Sequence, residues 1–505
     1  MTSRFPRVLA FAAVALLALP AIAFAQDEPS LDQTIIELNT TWVMVAAVLV
    51  MFMQAGFAFL EIGFSRAKNA GAGIAKILTN FSIAGLAYWA VGFALAFGGA
   101  GAIAGTDGFF LDVSMDPAKA AASIPLLETY VISPAALLFF QFVFCAVSLA
   151  IVWGTTLERI KFGAYLIYAM IFAAVIYPVL SHWIFAGGFL QAGLFGLPGM
   201  QDFAGSTVVH LIGATGAFAA LLLLGPRRGK FGADGKPRAI PGHSMPLVGL
   251  GVLILWLGWF GFNPGSTLGA ASGRFAEVAL VTNLAACAGV IGAMATIYAL
   301  QRTVDIGMAG NGAIAGLVGI TAPSGYVEFW AAPIIGLVAG VIVVVGVLAI
   351  DRKLDDPVGA FSAHGLAGIW GTISCGLFTL PSLAESNAVG QAGLFLGGGF
   401  GQLAAQVVGV VVAFVVVFVV SFAVFYAIKK TIGLRVTAEQ EDAGLDIVEH
   451  GMYGYPEQFI PLPEMGAASS GPLARPSLGG STASGAPATA TAARTTTANR
   501  EEVTA

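Results

Sequence analysis

The sequence predicts an all-α polytopic membrane protein, and three observations carry that reading. Of 505 residues, 57% are hydrophobic and only 10% charged, whereas a soluble domain carries about a quarter charged residues. So little charge cannot cover a water-facing surface. Apolar stretches long enough to cross a hydrocarbon core of ~30 Å follow one another along the chain. Basic residues cluster in every second connection between those stretches, the asymmetry that sets orientation in a bilayer.

Taken in order, residues 1–25 read as a secretory signal peptide. Arg4 and Arg7 precede an apolar run from Val8 to Pro20, and Ala23-Phe24-Ala25 supplies a small-residue cleavage site. The mature chain is then expected to begin at Gln26, outside the membrane. A membrane domain is expected over 26–430. Its spanning helices fall at 41–64, 76–98, 133–155, 162–186, 203–224, 245–263, 276–300, 307–322, 329–350, 359–379 and 398–427, eleven in all. An odd number after an outside start puts the C-terminus in the cytoplasm.

Charge supports this topology independently. The connections expected inside carry Arg66, Lys68, Lys76, Arg159, Lys161, Arg227, Arg228, Lys230, Lys236, Arg238, Arg302, Arg352, Lys353, Lys429, Lys430 and Arg435. Those expected outside carry Lys119 and Arg274. A helix missed or added would scramble this division. The 65 glycines suit helices packed closely through small residues. The three cysteines, Cys145, Cys287 and Cys375, lie in apolar runs and suggest neither a disulfide framework nor a zinc site. Residues 431–465 turn polar and are expected to order against the cytoplasmic face. The tail 466–505, rich in Ala, Ser, Thr, Gly and Pro, is expected to be disordered.

Helices 1–5 and 6–10 form two sets of five. Five is odd, so the second set runs opposite to the first, giving an inverted 5+5 repeat with one further C-terminal helix. His210 falls on the last helix of the first set and His364 on the last of the second. An ionisable group at membrane depth is costly and usually faces a cavity or a partner. Two at corresponding places point to a site on the axis between the halves. Asp202, eight residues before His210, suits a helix N-cap, and equally a carboxylate beneath a cation site. The aromatic residues Phe140, Phe142, Phe144, Trp183, Phe185, Trp259, Phe260 and Phe262 serve either packing or a water-poor pore that holds a small cation against ring faces. Ser266 could add a hydroxyl at the outer mouth. Glu158-Arg159-Ile-Lys161 reads as a structural charge cluster. With no nucleotide-binding loop, metal-ligand cluster or catalytic triad, the reading is of a non-enzyme without cofactors, driven by gradients and with no nucleic-acid partner.

Together the stretches Phe140-Gln-Phe-Val-Phe144, Leu157-Glu-Arg-Ile-Lys-Phe162, Ser181-His-Trp-Ile-Phe-Ala-Gly-Gly188, Asp202-Phe-Ala-Gly-Ser-Thr-Val-Val-His210, Gly258-Trp-Phe-Gly-Phe-Asn-Pro-Gly-Ser266, Gly312-Ala-Ile-Ala-Gly-Leu-Val-Gly319 and Asp355-Asp-Pro-Val-Gly-Ala-Phe-Ser-Ala-His364 carry a resemblance. The chain resembles the ammonium transporter / Rhesus-glycoprotein family, on its bacterial ammonium transporter side, from about residue 35 to 460. The resemblance implies a homotrimer in the cell inner membrane with one pore per subunit. It assigns Phe144 and Phe262 to a stacked phenyl gate, and His210 and His364 to a twin-histidine pair that relays protons. Outer ammonium recruitment falls to Ser266, supported by Asp202. It also implies a cytoplasmic segment, Glu439-Gln-Glu-Asp-Ala-Gly-Leu-Asp446, able to receive a P-II-type nitrogen regulatory protein. The expected activity is recruitment and deprotonation of ammonium, then conduction of ammonia, with net charge movement. The alternatives are a passive ammonia channel and an ammonium sensor or docking platform. One departure stands out: many bacterial members have tryptophan where this chain has Phe185, a weaker cation–π face without an indole N–H. Trp183 is a candidate to compensate.

Overall fold

A computed structural model of the chain describes residues 30–460. The expected signal peptide, 1–25, and the expected disordered tail, 466–505, lie outside the described residues. Eleven apolar helical segments dominate: α1 Leu31–Phe64, α2 Ala67–Phe97, α3 Pro134–Thr156, α4 Phe162–Ala192, α5 Ser206–Leu224, α6 Met245–Gly265, α7 Arg274–Gln301, α8 Ile306–Thr321, α9 Ala331–Ile350, α10 Phe361–Phe378 and α11 Gly401–Thr431. Nine are long and apolar enough to cross a membrane. A tenth is α10 taken with the short helix Pro381–Asn387, from which it is bent by 112°. The remaining one, α8, is apolar but has 16 residues. Among the described residues there is no β-strand, only two isolated bridges.

Each expected span coincides with one of these helices, but two starts differ. Helix α1 begins at Leu31 rather than 41, because the Ser30 hydroxyl accepts from the Gln33 N–H at 3.2 Å and caps a polar first turn. Helix α2 begins at Ala67 rather than 76. Its first turns are small and polar, and hydropathy alone reads them as a loop. One of the sixteen basic residues assigned to inner connections therefore belongs elsewhere. Lys76 is well inside α2, 1% exposed; the other fifteen lie in connections or in the terminal turn of a helix, as Lys68, Lys429 and Lys430 do, and the asymmetry survives.

Close packing holds the bundle where water cannot. On α1 and α6 two glycines face the neighbouring backbone. A Cβ on Gly56 would sit 2.9 Å from the Leu255 nitrogen, and one on Gly251 would sit 2.5 Å from the Leu60 nitrogen. Small residues thus let backbones approach where lipid gives no hydrophobic drive. The outward faces are apolar: Val407, Val411, Val415 and Val419 are exposed at helical spacing on α11, as suits contact with hydrocarbon.

One end of the bundle is tied by charge. Glu158 and Asp355, both buried, face the guanidinium groups of Arg66 and Arg227. Arg227 grips Asp355 through Nε and Nη2, each at 2.9 Å, while its backbone N–H donates at 2.7 Å. Arg66 donates Nε to Glu158 at 2.6 Å and its backbone N–H at 2.8 Å. Arg159 points away from Glu158 and donates to the carbonyls of Leu157, Gly225 and Asp355, each at 2.9 Å. Two short helices cover this basic end, α12 Ala438–Ala443 and α13 Leu445–His450. Glu441 accepts from Arg435 at 2.6 Å and from the Arg228 N–H at 2.7 Å. Asp446 accepts from the N–H groups of Ala72 and Gly454, at 2.8 and 2.9 Å.

Burial alone would raise the Asp355 carboxyl. The hydrogen bonds and charges of Arg227 and Arg159 outweigh it and hold the group at about 2, against an ordinary 3.8. A depressed carboxyl contributes its stability above the unfolded value and loses it as pH falls through the folded one. Arg227→Met, which strands this buried carboxylate, is expected to cost about 3 kcal/mol at neutral pH in detergent unfolding. It should also remove the part of the acid sensitivity that lies between about pH 4 and pH 2.

Candidate functional site

The site is built on a motif that occurs twice. Asp202 precedes Gly205 by three residues and His210 by eight; Asp356 precedes Gly359 and His364 by the same intervals. Both glycines take left-handed backbone, φ 119° at Gly205 and 73° at Gly359, which a Cβ would strain. Each motif opens its helix with a π turn, Ser206–Leu211 at the head of α5 and Phe361–Leu366 at the head of α10, a distortion common at functional sites. The two helices start from opposite ends of the bundle. Residue Arg227, just past the end of α5, grips Asp355, just before the start of α10.

Each carboxylate caps its turn. Both oxygens of Asp202 are fully used: Oδ1 accepts from Gly205 and Ser206 at 2.8 and 2.9 Å, and Oδ2 from Thr207 and Val208 at 2.9 and 3.0 Å. Asp202 thus carries the helix-cap geometry, with its charge spread into backbone N–H groups. Asp356 holds the Phe361 N–H at 2.9 Å, and its Oδ1 has no partner. The π turn displaces a carbonyl from the helical ladder, and a neighbour takes it up: Ser148 donates to the Val209 carbonyl at 2.7 Å. Ser206, the first residue of that turn, ties it to α8 by donating to the Val318 carbonyl at 2.7 Å.

The structure brings His210 and His364 together. Their Nδ1 atoms are 3.2 Å apart and their rings stack at 5.2 Å, 20° from parallel. Both are buried. Trp259 stacks on His210 at 5.2 Å and is fixed by its own bond to Thr321 at 2.9 Å. Phe262 lies 5.5 Å from His210 and 5.8 Å from Trp259, and Phe144 stacks on Phe262 at 3.9 Å and 4°. Phe144, Phe262, His210 and His364 therefore form a row.

A cavity lies at each end of that row. The one at the Asp202 end has about 100 Å³ open to the centre of a water-sized molecule, and Phe144, Phe185, Gln141, Asp202 and Ser266 help to line it. Ser266 donates its hydroxyl to the Phe262 carbonyl at 2.9 Å, which leaves its lone pairs as acceptors. Trp183 is not among the lining residues. Its indole donates to the Ile103 carbonyl at 2.8 Å and its ring packs on Phe189 at 4.7 Å, so it holds the loop instead of standing in for the aromatic face of Phe185. The other cavity touches His364 and Glu61.

Sequence reasoning missed Asp356, Gln141 and Glu61. The repeated Asp-x-x-Gly-x-x-x-x-His spacing marks Asp356 once the two histidine segments are aligned. Gln141 lies inside a quoted motif, and its Oε1 is buried without a partner. Glu61 sits in an apolar helix, where any carboxylate is a signal.

A polytopic helical bundle with a buried aromatic row between two cavities defines a class: a membrane protein built to pass something small. The family follows from comparison with known proteins. The sequence profile of the Ammonium Transporter Family matches residues 41–455, and the chain belongs to that family. It is 43% identical over 455 residues to Ammonium transporter Amt2 of Archaeoglobus fulgidus, covering 87% of this chain and 94% of that one. It is 35% identical over 442 residues to Ammonium transporter 1 member 3 of Solanum lycopersicum, covering 83% and 93%. Among solved structures, one described as Sensor Amt Protein superposes with a TM-score of 0.74 at 35% identity, covering 83% of this chain and 99% of that one. Mep2 of Candida albicans gives 0.72 at 27% identity, covering 83% and 90%.

The unequal caps predict unequal costs. Asp202→Ala leaves four N–H groups without an acceptor and is expected to cost about 4 kcal/mol or more, at about 1 or more for each stranded group. Asp356→Ala should cost about 1 kcal/mol. Thermal unfolding of the two purified variants, side by side in detergent, measures the difference.

Proposed function

We propose that this chain recruits ammonium at the Ser266 end, removes its proton, and conducts ammonia past Phe144 and Phe262 and along His210 and His364, while the proton crosses separately. The contact between the two buried Nδ1 atoms, behind a stacked phenyl pair, carries the reading. Stripping water from an intact ammonium ion costs several kcal/mol or more, and stacked rings offer nothing to replace it. Neutral ammonia escapes most of that cost. At the mouth, the Ser266 hydroxyl, the Phe185 face and the unpartnered Gln141 oxygen suit a small cation that donates hydrogen bonds. Two Nδ1 atoms in contact share one hydrogen: one ring donates and the other accepts, so the rings hold different tautomers. A proton arriving at the Nε2 of one ring and leaving from the Nε2 of the other swaps the tautomers, and the rings must reorient before the next proton passes the same way.

On this reading all eleven apolar segments span the bilayer of the cell inner membrane. The start lies outside after cleavage of residues 1–25, and the C-terminus is cytoplasmic. The fifteen basic residues at one end support that orientation. The matched motifs on oppositely running α5 and α10 support an inverted 5+5 repeat. The transport domain is 26–430. Residues 431–465 form a regulatory segment on the cytoplasmic face, suited to a P-II-type protein, and the assembly is a homotrimer. The likeness to a solved structure called a sensor favours a second reading, in which ammonium occupancy is also reported through that segment.

Two measurements test the proposal. His210→Ala and His364→Ala are each expected to lower the ammonium-evoked current of reconstituted protein by about tenfold or more, the scale of a lost proton-transfer group, with the oligomer intact. Wild-type current in both rules the relay out. Phe185→Trp is expected to tighten apparent ammonium affinity by a few-fold, since indole is the stronger cation–π partner at about 0.5–1 kcal/mol; unchanged or weaker affinity counts against a recruiting role for that ring.

A further inference from the structure

The cavity on the far side of the histidines contains a group the relay does not use. Glu61, on α1, is 1% exposed and its Oε2 has no hydrogen-bond partner. It lines the same space as His364, with Asn311, Val358, Ala360 and Gly154. About 20 Å³ of that space is open to the centre of a water-sized molecule, room for one water or one ammonia. The space depends on a missing side chain: a Cβ on Gly154 would lie 2.8 Å from the Val358 Cγ2 and 3.6 Å from the Glu61 Oε1.

A structural role accounts poorly for this carboxyl. A carboxylate kept for stability in a bundle of this kind is paired, as Glu158 and Asp355 are. Lys76 on α2 acts on Glu61 electrostatically, but its ammonium stands over the Trp153 ring, 4.2 Å from the centroid. Tyr165 on α4 also feels Glu61 and is hydrogen-bonded to Asn80 at 2.5 Å. From α10 the facing titratable group is His364. The residues of α3, α6 and α8 that line the cavity are Ile151, Gly154, Leu255, Asn311 and Ile314, none of them titratable. Glu61 is thus a buried carboxyl with a free oxygen, sharing a one-molecule cavity with a histidine.

We propose that Glu61 is the exit proton-exchange site of the pore, where ammonia that has passed His364 becomes ammonium again. The carboxylic acid O–H bond breaks and an N–H bond forms on ammonia, giving ammonium and the Glu61 carboxylate. A proton handed on by His364 restores the acid, so each cycle returns one proton to each ammonia. This rests on the deprotonation reading of the pore. It adds a terminal station, and it gives the carboxylate a second use, holding the newly formed cation until it leaves.

The test uses the full-length protein in proteoliposomes. Glu61→Gln keeps the shape and loses the exchangeable proton; Glu61→Asp keeps the proton. The expected result is an ammonium-evoked current about tenfold lower in E61Q and largely kept in E61D. An E61Q current within about twofold of wild type overturns the proposal. Infrared difference spectra on adding ammonium judge the site without reference to current. A carboxyl C=O band in the wild type that shifts in E61D supports it; no band, or one unmoved in E61D, overturns it, even where E61Q fails to fold. If the wild type carries no current, the charge-coupled reading fails by itself, and the infrared result alone decides Glu61.

Discussion

Two buried imidazoles in contact set the conditions for everything around them. His210 and His364 meet through Nδ1 atoms 3.2 Å apart, so each fixes the tautomer of the other. The contact lies beneath a phenyl pair stacked at 3.9 Å. An ion would have to surrender its hydration there with no polar ring of ligands to replace it, unlike a carbonyl-lined filter. On the proposed reading, the row discriminates by charge before it discriminates by size.

Such a contact needs a stiff frame, and the backbone supplies it in duplicate. Asp202 and Asp356 cap π turns that start from opposite ends, each following a glycine with positive φ. The π turn widens the helix at the histidine and frees a carbonyl, which Ser148 ties down, while Ser206 in the turn anchors it to the Val318 carbonyl of α8. At the basic end, the Arg227–Asp355 fork joins the segment that follows α5 to the segment that precedes α10. A tilt of either helix would disturb the other through this link. The segment bearing Glu441 and Asp446 closes over the same end, so a partner that shifted it would pull on residues one turn from the histidine helices.

Much of this was legible before any coordinates. Composition and spacing gave an all-helical membrane protein, and the motifs gave its family. Helix starts were less legible where polar residues pack in protein instead of water: hydropathy cannot see that Ala67–Ala75 is helical, nor that Lys76 is buried above Trp153. Asp202 was visible as a cap, yet four N–H groups consume its oxygens, a fact of geometry that spacing does not carry. The ring of Trp183 turned to Ile103, because an indole N–H buried near a loop carbonyl takes that bond. Glu61 went unremarked for a different reason: it is a single carboxylate in a long apolar helix, and only the folded chain puts it on one cavity with His364.

The central claim is that the middle of the pore refuses an intact cation and accepts a neutral molecule derived from one. Transport currents on purified, reconstituted protein, with ammonium, methylammonium and potassium compared at equal concentration, test it most directly. Ammonium and methylammonium can each lose a proton, and both should evoke current. Potassium, close to ammonium in size but with no proton to lose, should evoke none. A potassium current comparable to that of ammonium would mean that charge crosses whole, and the account of the histidine pair would fall.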